Sequence, residues 1–147
     1  AYQIEPSLIP YLALGIFAGV RPEEIQRLSW EDIGEDEIEI RSIKAKTRRR
    51  RLIEIAPNLR QWLCLGGPIA PKNKRRKLDR LRKETGVTWA HDIMRHTFAS
   101  YHLAKHGSGD KTSVQLGHSD TQMLITHYRK LVSKDNAERF WSISPLP

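Results

Sequence analysis

Apolar positions recur at helical spacing from the start of the chain. Leu8, Ile9, Leu12, Ile16 and Phe17 predict a buried helix over 7–18 that stops at Gly19. Pro22, followed by Glu23 and Glu24, opens a second helix over 22–29, since proline suits the first helical position and acids suit the positive end of the helix dipole. The period then changes to two. Glu37-Ile38-Glu39-Ile40 and Leu52-Ile53-Glu54-Ile55 each predict a short strand with one apolar face, together an antiparallel hairpin. Helical signals return at Pro57 (57–65, ended by Gly66-Gly67-Pro68), over 72–84 and over 92–105. A short helix capped by Asp110 ends at Gly117. Ser119 and Gln122 have capping-box spacing for a helix over 120–132 with Leu124, Tyr128 and Leu131 as its core stripe. A last helix covers 135–141 and carries Phe140 and Trp141, two large aromatics suited to docking on this domain or on a neighbour. The pattern predicts a single, mostly α (α+β) domain, helical with a small antiparallel β-hairpin sheet.

Charge narrows the class. The 147 residues carry a formal net charge of +8, which points to a polyanionic partner, nucleic acid before an acidic membrane surface. Six of the eight residues 44–51 are basic, and they sit at the tip of the predicted hairpin, where Lys44, Arg48, Arg49 and Arg50 suit a phosphate backbone. A solvated charge run is the bland alternative. Eight of the twelve residues 72–83 are Lys or Arg, with Leu78 and Leu81 facing inward; Lys74, Arg75 and Arg76 lead this second cationic surface. Its apolar face is too thin for a membrane or a calmodulin-type partner. The longest apolar run, Leu8 to Val20, is interrupted by Pro10 and too short to span a bilayer, so no membrane partner is expected. The single cysteine, Cys64, excludes an internal disulfide, fits a reducing compartment and reads as a small buried apolar side chain. No cysteine cluster suits a structural zinc. A first residue that is Ala rather than Met reads as a piece of a longer protein.

Candidate chemistry gathers in the stretch from His91 to Tyr128. Breaking and rejoining a DNA phosphodiester without water or metal needs a nucleophile that stores the bond as a covalent ester. It needs fixed positive charge on the non-bridging oxygens and an acid for the departing 5′ oxygen. Tyrosine can be the nucleophile, two arginines the clamp, and lysine or histidine the acid. The chain holds such a set in order. Gly19-Val20-Arg21-Pro22-Glu23-Glu24-Ile25 runs on to Leu28-Ser29-Trp30-Glu31-Asp32-Ile33. Ala45-Lys46-Thr47, Arg95-His96-Thr97-Phe98-Ala99-Ser100, Leu116-Gly117-His118-Ser119 and Thr126-His127-Tyr128 follow.

From about residue 8 to 132 these boxes resemble the tyrosine recombinases, the phage-integrase family of DNA strand-exchange enzymes. The resemblance implies Arg21 and Arg95 as the two phosphate-binding arginines, Lys46 as proton donor, His118 as a further phosphate ligand, Tyr128 as nucleophile and Glu24 as an acidic support. One position departs. The family places a histidine three residues before its second arginine; that position is Asp92 here, and His91 lies four before. Both spacings share a helix side with Arg95, so either His91 takes the role or Asp92 merely caps the helix.

The resemblance further implies site-specific recombination on double-stranded DNA with no cofactor and no metal, in the cytoplasm at the nucleoid. It implies an N-terminal DNA-clamping domain beyond this chain. It also implies that residues 135–141 pack on neighbouring subunits, giving a tetramer on DNA and a monomer alone. Two other readings stay open: type IB topoisomerase-like relaxation, and a DNA-binding module that has lost catalysis. Residue by residue, Tyr128 could be a core tyrosine, and Arg21 and Arg95 ordinary partners of Glu24 and Asp92. His96, His102, His106 and His127 read as structural or surface groups.

Overall fold

The computed structural model describes residues 1–41, 50–118, 120–128 and 131–145. A 3-10 turn, Pro6–Leu8, leads into α1 (Ile9–Ala18). There follow α2 (Pro22–Ile25), a 3-10 turn Trp30–Asp32, β1 (Glu37–Ile40), β2 (Arg51–Glu54), α3 (Pro57–Leu63) and α4 (Lys74–Thr85). The C-terminal half holds α5 (Ile93–His106), α6 (Gly109–Leu116), α7 (Thr121–Tyr128) and α8 (Lys134–Trp141). The predicted architecture of helices with one small antiparallel hairpin is what forms. β1 and β2 pair with Ile38 opposite Ile53 and Ile40 opposite Arg51. Alternation buries Ile38, Ile40, Ile53 and Ile55 and leaves Leu52 and Glu54 outward.

Helix α5 is the hub. It packs on α1, α6, α7 and α8. On one side lies the main core, where Leu8, Leu14, Ile25, Ile38, Ile53 and Leu59 are fully buried. On the other, Phe98, Ala99, Leu103, Leu116 and Leu124 form a smaller cluster. Gly19 ends α1 in the left-handed region (φ 64°), and a Cβ there would stand 2.6 Å from the Phe98 ring. Only glycine satisfies both the turn and the close approach of α5.

Several local expectations shift. The helix expected over 22–29 stops at Ile25, because the Asp32 carboxylate takes the Ser29 amide (2.9 Å) and hydroxyl (3.1 Å) and starts a separate turn. The second strand begins one residue early, at Arg51. The cap of α6 is Ser108, whose hydroxyl accepts the Lys111 amide at 3.2 Å; Asp110 lies inside the first turn. Asp120 caps α7 by accepting the Met123 amide at 3.0 Å. Leu131 is 66% exposed and does not join the core stripe. Cys64 is exposed at the end of α3, a correction to its expected burial, since the inward positions of that helix are Asn58, Leu59 and Leu63.

The last helix folds back onto its own domain. Phe140 stacks on Tyr101 with ring centroids 4.0 Å apart and also meets Phe17 at 5.0 Å. The Trp141 indole N–H donates to the Tyr101 carbonyl at 3.2 Å. Beyond α8, the Ile143 carbonyl accepts from the Trp62 indole at 3.0 Å.

Candidate active site

Arg21 sits between α1 and α2. Its amide donates to Glu24 Oε2 at 3.0 Å and its guanidinium to Glu24 Oε1 at 3.3 Å, so the turn that begins α2 also orients the side chain. The Glu24 side chain is 3% exposed and serves a second arginine: Arg51 Nη1 reaches Oε1 at 2.9 Å and Nη2 reaches Oε2 at 2.8 Å. Burial alone would raise this carboxyl. The hydrogen bonds and charge of Arg51, with those of Arg21, more than reverse that and hold it at about 2.

Arg51 also reaches across to α6, where its Nε donates to the Gln115 carbonyl at 3.2 Å. The turn after α6 closes over it. Gly117 has φ 67°, and a Cβ there would lie 2.9 Å from Arg51 Cδ. Glycine therefore lets the turn bearing His118 come down on the guanidinium. The first arginine, the acidic support, the hairpin base and the histidine turn are thereby tied at one point.

Arg95 is buried on the first turn of α5. Its Nη1 donates to the Gly19 carbonyl at 2.6 Å and its Nη2 to the Leu116 carbonyl, joining the end of α1 to the end of α6. Two of its five N–H donors are so used. Burial first, then the charges of Arg21 and Arg51, lower it to about 9, which keeps it charged at neutral pH. Three arginines face one buried carboxylate, an excess of positive charge that an anion would relieve.

His118 is exposed on the turn after Gly117, its amide bonded to the Ser113 carbonyl at 3.0 Å. Desolvation beside the arginine cluster, then the charges of Arg95, Arg21 and Arg51, lower its pKa. Tyr128, at the end of α7, is half-buried. Its hydroxyl contacts Nδ1 of His96, and the two ring centroids are 5.7 Å apart. Burial raises the phenol; Arg95 opposes this and Asp92 adds to it.

Arg21 and Glu24 on one turn, Arg95 on α5 and His118 after α6 thus lie within electrostatic reach of one another, and Tyr128 on α7 lies within reach of Arg95. His91 does not join them. Its side chain is 94% exposed in the turn before α5, with Nδ1 3.3 Å from Asp92 Oδ2. Asp92 precedes the helix in the left-handed region (φ 52°). Lys44, Lys46, Arg48 and Arg49 lie outside the described residues. Arg50 pairs with Glu39 at 2.8 Å on the hairpin. On α4, Arg75 and Arg76 are exposed, while Lys74 lies over the Tyr11 ring at 4.7 Å. No group of three or more His, Cys, Asp or Glu among the described residues is placed to hold a metal ion. No described helix is long and apolar enough to cross a membrane.

Two residues beside the site were given no catalytic role by the sequence: Arg51, outside the boxes, and His96, inside the Arg95–Ser100 box but read as a structural or surface group. Arg51 is the last of a basic run, yet alternation puts it on the same strand face as Ile53 and Ile55, a signal that it points inward. His96 gives no such signal, because its partner lies 32 residues away on another helix.

No protein-family model matches the chain, and no curated protein matches it by sequence. Among solved structures it is similar to that of XerA recombinase, with a TM-score of 0.69 and 18% identity, over 94% of this chain and 58% of that one. It is also similar to the catalytic domain of bacteriophage HP1 integrase, with a TM-score of 0.66 and 18% identity, over 99% of this chain and 89% of that one. The chain spans less than two thirds of the XerA length. These likenesses establish the fold, that of an integrase catalytic domain.

Proposed function

We propose that this chain is the catalytic domain of a site-specific DNA recombinase that cuts and rejoins strands through a 3′-phosphotyrosyl intermediate. The observation that supports this reading is a half-buried tyrosine hydroxyl within electrostatic reach of Arg95, which in turn neighbours Arg21 and His118, with Glu24 buried behind Arg21. Arg21, Arg95 and His118 hold the non-bridging oxygens of the scissile phosphate, where negative charge builds as the fifth bond forms. Tyr128 Oη attacks the phosphorus and the bond to the 5′ oxygen breaks. Lys46 gives that oxygen its proton. The ester keeps the bond energy, so a second strand's 5′-hydroxyl reverses the step and no nucleotide is consumed.

The basic surfaces of the hairpin and of α4 supply backbone contacts to double-stranded DNA. In the assembled complex α8 exchanges its seat beside Tyr101 for the same seat on a neighbouring copy, which builds the tetramer. A second reading, a DNA-binding module without catalysis, is favoured by Asp92 standing at the histidine position of the resemblance with His91 turned to solvent.

A nicked duplex that traps the covalent product separates the two. Incubated in chelator and run on a denaturing gel, the wild type gives a protein–DNA band and Tyr128→Phe gives none. Duplex binding with no band from the wild type moves the assignment to the non-catalytic module.

A further inference from the structure

We propose that His96 is a catalytic residue: the imidazole that holds the Tyr128 hydroxyl and takes its proton as the phenol attacks phosphorus. The inference rests on Tyr128 being the nucleophile.

A phenol that attacks phosphorus must give up its proton as the new bond forms, and burial makes this one harder to ionise than an ordinary tyrosine. An acceptor within hydrogen-bond reach is therefore required. The described groups around Tyr128 differ in what they can do. Arg95 only donates, and two of its donors are bound to the carbonyls of Gly19 and Leu116. His118 belongs to the arginine cluster, where an incoming phosphate would engage it. The Asp92 carboxylate pairs with His91, and the His91 ring is almost wholly in solvent. His96 Nδ1, by contrast, touches the hydroxyl itself.

Its mounting suits the role. His96 follows Arg95 on α5, so acceptor and phosphate clamp share one helical turn. The His96 amide donates to the Asp92 carbonyl at 2.9 Å, and its carbonyl accepts the Ser100 hydroxyl at 2.9 Å. The imidazole must be neutral and carry its proton on Nε2, leaving Nδ1 free to accept.

The step balances. The Tyr128 Oη–phosphorus bond forms as the bond to the 5′ oxygen breaks; the phenol proton passes to His96 Nδ1, and Lys46 protonates the 5′ oxygen. In rejoining, the imidazolium returns its proton to the departing phenolate, and the incoming 5′-hydroxyl gives its own to the lysine amine. No oxidant, metal or co-reactant enters.

The test is single-turnover covalent capture on a nicked duplex by the wild type, Tyr128→Phe, His96→Asn and His96→Ala, the last with and without free imidazole. Asparagine can hold the hydroxyl with its amide oxygen but cannot take a proton at neutral pH. Both His96 variants should form the covalent product about 100-fold more slowly, with duplex affinity unchanged. Imidazole should restore His96→Ala and leave His96→Asn slow. Rates for both variants within about twofold of wild type, with Tyr128→Phe inert, would overturn the role of His96 and leave the nucleophile standing. Loss of rate in His96→Ala that imidazole does not restore also overturns it, reducing His96 to a prop. A covalent product absent even from the wild type removes the nucleophile, and the inference with it. Independently of activity, the ¹⁵N resonance of His96 Nδ1 should move in Tyr128→Phe; an unmoved resonance denies the contact.

Discussion

Glu24 is the residue on which the positive cluster depends. It accepts from Arg21 twice and from Arg51 twice while its side chain is 3% exposed. A carboxyl lowered from 4.5 to about 2 stabilises the fold when ionised. The contribution is fully present above pH 4.5 and is lost as pH falls through about 2. Glu24→Gln should therefore be less stable than wild type at neutral pH by about 3 kcal/mol, and the gap should close as pH drops towards 2. Urea midpoints measured across that range check it; a gap that stays constant with pH would mean that Glu24 acts by shape rather than charge. The same pairing explains why the half-buried guanidinium of Arg51 is tolerated: three of its five N–H donors, Nε and one on each Nη, find acceptors.

Helix α8 shows what a short element owes to its seat. Eight residues are too few to hold a helix in water alone. Ser133 caps it by accepting the Asn136 amide at 3.3 Å, and Phe140 and Ala137 are its buried face. Phe140→Ala removes the ring stacked on Tyr101 and should cost about 3 kcal/mol. Thermal unfolding would show the loss, and protease cleavage within residues 134–141 should quicken as the helix leaves its seat. An unchanged melting temperature would mean that the stack contributes nothing in the isolated chain. Helix α2 makes the complementary point: it keeps only four residues because Asp32 recruits Ser29 into a second turn, and its shortness leaves Arg21 and Glu24 at a rigid corner.

Across the molecule the +8 charge is unevenly used. Lys77 and Arg80 on α4 are partly answered by Glu5, at 3.5 and 3.8 Å, whereas Arg75 and Arg76 are exposed. Affinity for a DNA duplex should fall steeply with salt. Arg75→Ala combined with Arg76→Ala should flatten the slope of log affinity against log salt by roughly one for each phosphate that these arginines neutralise in the wild type. Fluorescence anisotropy over a salt series measures it. An unchanged slope would place the DNA-binding surface on the hairpin instead.

Local pattern was enough for the helices, the hairpin and the order of the basic segments. Helical and strand periodicities, proline starts and glycine stops act within a few residues, and Gly19, Pro22, Pro57, Gly86 and Gly117 all stand where they punctuate the fold. Fine choices among nearby caps were less legible: Ser108 over Asp110 turns on small local differences that tertiary packing tips. Arg21, Arg95, His118 and Tyr128 were readable as candidates from their motifs. Their assembly was not, nor was the pairing of Arg51 with Glu24 across 27 residues, or of His96 with Tyr128 across 32. Such pairings exist only once α1, α5 and α6 have closed on one another. Burial then sets which arginine finds a carboxylate, which histidine meets the phenol, and which, like His91, is left in water.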